Sequence, residues 1–111
     1  MNLSIGTDVV EGVSIVRVGG DLDVYTAPRL KEALDGAMKS GRRMVLDLSE
    51  VHFIDSTALG VLVGALRQSG SESGDFRLVV DDPYLLKIFR ITGFDGLFPI
   101  FPQLADAVSG V

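Results

Sequence analysis

The chain has 111 residues, 47% hydrophobic and 23% charged, which is typical of one compact domain spanning residues 1–111 with no room for a second. Its 10 basic and 15 acidic residues give a net charge of −5, which excludes a basic surface for nucleic acid or anionic lipid and favours protein partners. The lack of cysteine excludes disulfides and thiolate metal sites, and we expect neither a cofactor nor a metal.

The N-terminal third of the chain predicts a β-hairpin. Leu3, Ile5 and Thr7 alternate with polar residues, and Glu11-Gly12 separates them from the β-rich run Val13–Val18.

A helix is predicted next. Thr26 is a plausible N-cap, Pro28 falls in the first turn, and the helix should end near Ser40-Gly41. Its apolar positions share one face: Leu30, Ala33, Leu34, Ala37 and Met38.

Met44–Leu48 is short and nearly all apolar, which predicts the central strand of a sheet covered on both faces. A second helix should begin at Ser56, and the polar stretch Ser69–Gly74 should follow it as a loop. The predicted apolar face of this helix consists of Leu59, Leu62, Val63 and Leu66.

The C-terminal third predicts a strand over Phe76–Val80, a helix that starts at Asp82-Pro83 and stops at Gly93, and a short strand within Leu97–Phe101. A final short helix should place Leu104, Ala105 and Val108 on one side.

The complete order, β-β-α-β-α-β-α-β-α, predicts an α/β domain in which about four helices pack on a mixed, mostly parallel sheet. Ligand-contacting loops of such sheets collect at the carboxyl ends of the strands. Asp23 and Ser56 both follow predicted strands, so we expect function to gather around them.

Ser56 stands at the mouth of its predicted helix, where free backbone N–H groups and the helix dipole tolerate negative charge. It is therefore a credible phosphate acceptor. Local pattern alone favours a simpler interpretation, in which Asp55, Ser56 or Thr57 caps the helix.

Enzymatic motifs are not supported. No phosphate-binding loop is present, and Gly19-Gly20 lacks the spacing of a dinucleotide fingerprint. His52, the single histidine, has no evident companion for a metal site, and no nucleophile elbow surrounds Ser56 for a hydrolase. Asp47 would be the acceptor of a receiver domain, but it lies inside an apolar strand without an early acidic pair.

Two separated motifs carry a family resemblance that covers essentially the whole chain. Phe53–Gly60, with the sequence FIDSTALG, together with Gly20–Asp23 and the following Thr26-Ala27, resembles the STAS domain of bacterial anti-sigma factor antagonists. Ala58 stands where many members carry glycine, a difference between two small residues. The resemblance implies a cytoplasmic binding module that is not an enzyme.

By this resemblance, the chain binds an anti-sigma factor that is also a serine kinase and thereby frees a sigma factor. Phosphorylation at the position of Ser56 cancels that binding, and a protein phosphatase resets it. Asp23 matches the neighbouring acidic residue. The expected partner-binding residues are Asp23, Asp55, Ser56, Thr57, Leu59 and Gly60.

Several alternatives stay open. Gly60 could permit close approach of a partner or tight internal packing, and Thr57 could be a minor phosphate acceptor or a cap. The domain could also be a scaffold in a signalling or transport assembly, without a phosphate cycle.

Overall fold

The computed structural model describes residues 3–40, 43–68 and 76–109, so the predicted loop Ser69–Gly74 and the predicted helix stop at Gly41 lie outside the described residues. The predicted order of strands and helices is confirmed, with one additional 3-10 helix. The elements are β1 (Leu3–Val10), β2 (Val13–Leu22), α1 (Ala27–Ser40), β3 (Arg43–Ile54), α2 (Ser56–Gln68), β4 (Phe76–Val79), α3 (Pro83–Thr92), the 3-10 helix (Phe94–Gly96), β5 (Ile100–Phe101) and α4 (Leu104–Ser109).

The five strands form one mixed sheet in the order β1-β2-β3-β4-β5. β1 pairs antiparallel with β2, and the remaining pairs are parallel. The predicted hairpin turns at Glu11 and Gly12, whose φ angles of 51° and 79° are those of a two-residue type I′ turn. As predicted, the central strand is the one that contains Met44–Leu48.

Helices cover the two faces of the sheet unequally. α1, α2 and α3 bury their apolar faces in the main core, around fully buried side chains such as Leu34, Leu46 and Leu62. On the opposite face, α4 covers a smaller cluster through Ala107, against Val13 and Val45.

β2 and β3 are longer than predicted, since they reach Leu22 and Ile54 instead of Val18 and Leu48. The pairing shifts register twice, between Arg17 and Gly19 and again between Gly20 and Asp21, and each time β3 holds one extra residue. These bulges let the strand continue through a polar stretch that breaks its alternation. His52 and Phe53 are therefore strand residues.

The helix faces differ from the prediction in detail. The buried residues of α2 are Ala58, Leu59, Leu62 and Ala65. Val63 is only partly buried, and in α4 Ala105 is exposed whereas Ala107 is buried. Burial depends on where each helix lies on the sheet, which spacing alone does not set.

α3 agrees closely with its sequence signals. Asp82 caps the helix, and Pro83 occupies the first turn. The helix ends at Gly93, whose φ of 79° places it in the left-handed region.

Candidate functional site

The loops after β2 and β3 lie side by side at the carboxyl edge of the sheet, as predicted. Leu22 pairs with Ile54 at the ends of the two strands, and the Asp55 N–H donates a 3.0 Å hydrogen bond to the Leu22 carbonyl. The sheet thus brings the Asp23 loop next to the start of α2.

The Asp23 loop is held by its own side chains. Asp23 Oδ1 accepts hydrogen bonds from the N–H groups of Tyr25 (2.9 Å) and Thr26 (3.0 Å). The Thr26 hydroxyl accepts from the Asp23 N–H and donates to the Asp21 carbonyl. Thr26 occupies the predicted N-cap position, directly before the first residue of α1. Its hydroxyl, however, forms hydrogen bonds within the loop and none to the backbone N–H groups of the described part of α1.

Asp55 is the residue that caps α2. Its Oδ1 accepts from the Ala58 N–H at 3.1 Å, and its carbonyl accepts from the Leu59 N–H at 3.0 Å. Ser56 and Thr57 are exposed, and neither hydroxyl forms a hydrogen bond to another described residue. The Ser56 hydroxyl is therefore not used for capping and faces solvent at the helix N-terminus.

Leu59 and Gly60, which follow this turn, have different environments. Leu59 is 8% exposed and belongs to the core. Gly60 is exposed, and a Cβ added to it would meet no heavy atom within 4 Å. Internal packing therefore does not require glycine here. Gly60 and Thr57 instead line a groove of about 280 Å³ between α1 and α2.

Sequence reasoning missed three exposed apolar side chains at this edge. Tyr25 is 76% exposed, Val24 53% and Phe53 41%. Val24 and Tyr25 lie in the Asp23 loop, and Phe53 stands near the end of β3. The sequence does contain a signal for two of them. Val24 and Tyr25 are adjacent apolar residues in a connecting segment, where the spacing of apolar residues matches neither a strand nor a helix.

Among the described residues, no group of three or more His, Asp or Glu side chains is placed to hold a metal ion. His52 lies on β3 and forms no hydrogen bond with Ser56. Asp47 is 9% exposed, and its Oδ1 already accepts from the N–H and the hydroxyl of Ser49. None of the described helices has the length and apolar character needed to cross a membrane.

Comparison with known proteins gives a consistent result. The profile of the STAS domain family matches residues 4–107. The anti-sigma-B factor antagonist of Staphylococcus aureus is 35% identical over 101 residues, which cover 90% of this chain and 94% of that protein. The anti-sigma-B factor antagonist of Listeria monocytogenes is 37% identical over 106 residues, with 90% of each chain covered.

A solved structure shows the same architecture. The crystal structure of an anti-sigma factor antagonist from Mycobacterium paratuberculosis superimposes with a TM-score of 0.90 and 33% identity, covering 97% of this chain and 92% of that one. The similarity therefore extends over nearly the whole chain.

Proposed function

The chain belongs to the STAS domain family, and from that premise we propose that it is an anti-sigma factor antagonist controlled by phosphorylation of Ser56. In its unmodified form it binds an anti-sigma factor that is also a serine kinase, which releases a sigma factor. The kinase modifies Ser56 and so ends the binding, and a protein phosphatase restores it. The protein is thus a switch and a substrate, and not itself an enzyme.

The proposal rests on one observation: the Ser56 hydroxyl, at the first residue of α2, is exposed and forms no hydrogen bond with another described residue, while Asp55 caps the helix. A hydroxyl that the fold does not use can be modified without removing a structural contact. The helix N-terminus also accommodates a phosphate better than most surface positions.

The proposed partner surface combines polar and apolar side chains around this hydroxyl. Asp55 and Thr57 flank Ser56 in the chain, the Asp23 loop lies beside the start of α2, and Gly60 would extend the surface along α2. The exposed Tyr25 and its apolar neighbours would supply area that a partner can bury. Leu59 would contribute by holding the first turn of α2 in place, since its own side chain is buried.

Phosphate on Ser56 would act mainly on the interface. It adds roughly −1.5 to −2 charge next to the Asp55 carboxylate, which already accepts one of the free N–H groups of the helix. Favourable interaction with the helix end is worth about 0.3–1 kcal/mol, and repulsion from Asp55 opposes it. The fold should therefore change little in stability.

A partner that covers Ser56 would respond far more strongly. Burying a dianion without a cation partner costs several kcal/mol, and each ~1.4 kcal/mol is a tenfold change in affinity. A hundredfold loss of binding needs only about 2.8 kcal/mol. The switch thus requires no rearrangement of the domain.

The test uses purified anti-sigma factor kinases from the same genome, with ATP, and four forms of the chain: wild type, Ser56→Ala, Ser56→Glu and Thr57→Ala. We expect Ser56→Ala to bind the kinase and to remain unmodified, as measured by calorimetry and intact-mass analysis. Ser56→Glu should bind more weakly, and phosphorylated wild type about a hundredfold more weakly. Thr57→Ala, the control for the second hydroxyl of this turn, should still gain one phosphate, and any loss of its affinity measures the contribution of the Thr57 side chain to the proposed surface.

Equal affinities of the wild-type, phosphorylated and Ser56→Glu forms would contradict the proposed switch. Binding without any phosphorylation would instead favour the phosphate-free scaffold.

A further inference from the structure

β1 is an edge strand with an open backbone. Val10 and Val13 are the hydrogen-bonded pair that flanks the two-residue turn. Because hydrogen-bonded and non-hydrogen-bonded pairs alternate along an antiparallel ladder, the even-numbered residues of β1 direct their backbone groups toward β2. Leu3, Ile5, Thr7 and Val9 therefore direct their N–H and C=O groups toward the open edge. The strand contains no lysine or proline, and its pairing with β2 has no bulge, so three common protections of an edge are absent.

Among the residues that the structure describes, contacts engage this edge at its two ends. Arg29 Nη1 donates to the Leu3 carbonyl at 3.2 Å, and Asp8 Oδ1 accepts from the Val9 N–H at 2.8 Å. Both contacts are solvent-exposed, so a competing strand can displace them at low cost.

The sequence of the edge is complementary to itself. When two copies of β1 pair antiparallel about a two-fold axis at Gly6, Leu3 lies opposite Val9 and Ile5 lies opposite Thr7. Val9 is 54% exposed, and this arrangement covers it with Leu3 of the second copy. Asp8 lies opposite Ser4, so no like charges meet directly.

Helix α1 adds charge complementarity on the same face. Arg29 stands at the Leu3 end of β1, whereas Glu32 lines a groove of about 320 Å³ beside Val9. Antiparallel pairing brings the Leu3 end of one copy to the Val9 end of the other. Arg29 of each copy is therefore brought toward Glu32 of the other copy, which gives two equivalent pairs of opposite charge across the axis.

We propose that two copies of this chain associate through β1 to form a continuous ten-stranded sheet with its two-fold axis at Gly6. Because the strands are antiparallel across the axis, the two Ser56 edges face opposite ends of the dimer. Each copy can then engage its own partner.

Absence of native cysteine permits a direct test on the full chain. In the proposed dimer Gly6 faces itself in a non-hydrogen-bonded pair, whose Cα separation of about 4.5 Å suits a disulfide. A Cβ added at Gly6 meets nothing within 4 Å, so Gly6→Cys should fold normally. Ser4→Cys is the control, because position 4 lies on the same face of β1 as position 6. In the proposed dimer, however, the two copies of position 4 are offset by four residues along the strands, which separates them by roughly 13 Å.

With oxidised glutathione, we expect Gly6→Cys to form disulfide-linked dimers at least about tenfold faster than Ser4→Cys. When Thr7→Pro is added to both cysteine variants, the N–H of residue 7 can no longer bond to the second copy, and the difference in cross-linking rate should disappear. Thr7→Ala keeps this N–H and should preserve the difference. Val9→Lys should reduce the dimer fraction of the otherwise wild-type chain in sedimentation experiments. Ile91→Lys, at an apolar side chain of α3 that is 72% exposed against 54% for Val9, should not.

The proposal is overturned if Gly6→Cys and Ser4→Cys cross-link at the same rate, or if wild type remains a monomer up to about 1 mM. Retained dimerisation of Val9→Lys would also overturn it. These outcomes do not depend on kinase binding or on Ser56.

Discussion

At the scale of single residues, two adjacent side chains at the start of α2 have different roles. The Asp55 carboxylate caps the helix, and the Ser56 hydroxyl remains exposed. An N-cap side chain accepts a backbone N–H from the first turn, and because Asp55 does so, the Ser56 hydroxyl is not needed for this role. Local geometry thus leaves the hydroxyl available for modification.

Asp55→Ala should lower the free energy of unfolding by about 1 kcal/mol through loss of this cap. Asp82→Ala is the matched control, because Asp82 caps α3 through a 2.8 Å bond from the Tyr84 N–H and should lose a similar amount. Urea unfolding measures both.

Partner binding should weaken only for Asp55→Ala, since Asp82 lies outside the proposed surface. An Asp55→Ala protein with the stability of wild type would show that another group caps α2.

At the scale of the element, α2 carries two glycines on exposed positions one turn apart. Gly60 and Gly64 both line the groove against α1, and a Cβ at either would contact nothing within 4 Å. Each glycine costs roughly 1 kcal/mol of helix propensity relative to alanine. Since internal packing does not explain the cost, close approach of a partner is the explanation that we favour for Gly60, the one nearer Ser56.

Gly60→Ala and Gly64→Ala should each raise the free energy of unfolding by roughly 0.5–1 kcal/mol in urea titrations. Gly60→Ala should nevertheless bind the anti-sigma factor more weakly, because the new methyl group occupies the proposed contact. Gly64→Ala, one turn farther from Ser56, should bind as wild type does. Unchanged binding of both variants would remove Gly60 from the partner surface.

At the scale of the whole molecule, three strands meet at the first β3 bulge. A Cβ at Gly19 would lie 2.9 Å from Ser4 Oγ on β1 and 3.2 Å from Glu50 Cβ on β3. The glycine therefore allows β1, β2 and β3 to approach where the register shifts. Beyond this point β2 and β3 continue together to the Asp23 and Ser56 loops.

Gly19→Ala should destabilise the domain by about 1–2 kcal/mol through this overpacking. Gly6→Ala, on the neighbouring strand with open space around its Cβ, should change stability by less than about 0.5 kcal/mol. Equilibrium unfolding of both variants gives the comparison. In a Ser4→Ala background the cost of Gly19→Ala should fall, and an unchanged cost would show that the Ser4 contact is not its cause.

Much of the fold is set by signals that the chain carries locally. Apolar spacing, the Glu11-Gly12 turn, the Asp82-Pro83 start and the Gly93 stop predicted the elements and their order, because these features act within a few residues. The family motifs around Asp23 and Ser56 likewise predicted the partner-binding residues, which the substitutions proposed above test.

The tertiary structure alone decided how β2 and β3 extend through their bulges, that Asp55 caps α2, and that Tyr25 and Phe53 lie exposed near Ser56. It also decided that Gly60 has open space around it and that β1 presents a free edge. These properties depend on contacts between residues far apart in the chain, such as the Asp55 bond to Leu22, and no local pattern encodes which backbone groups will meet.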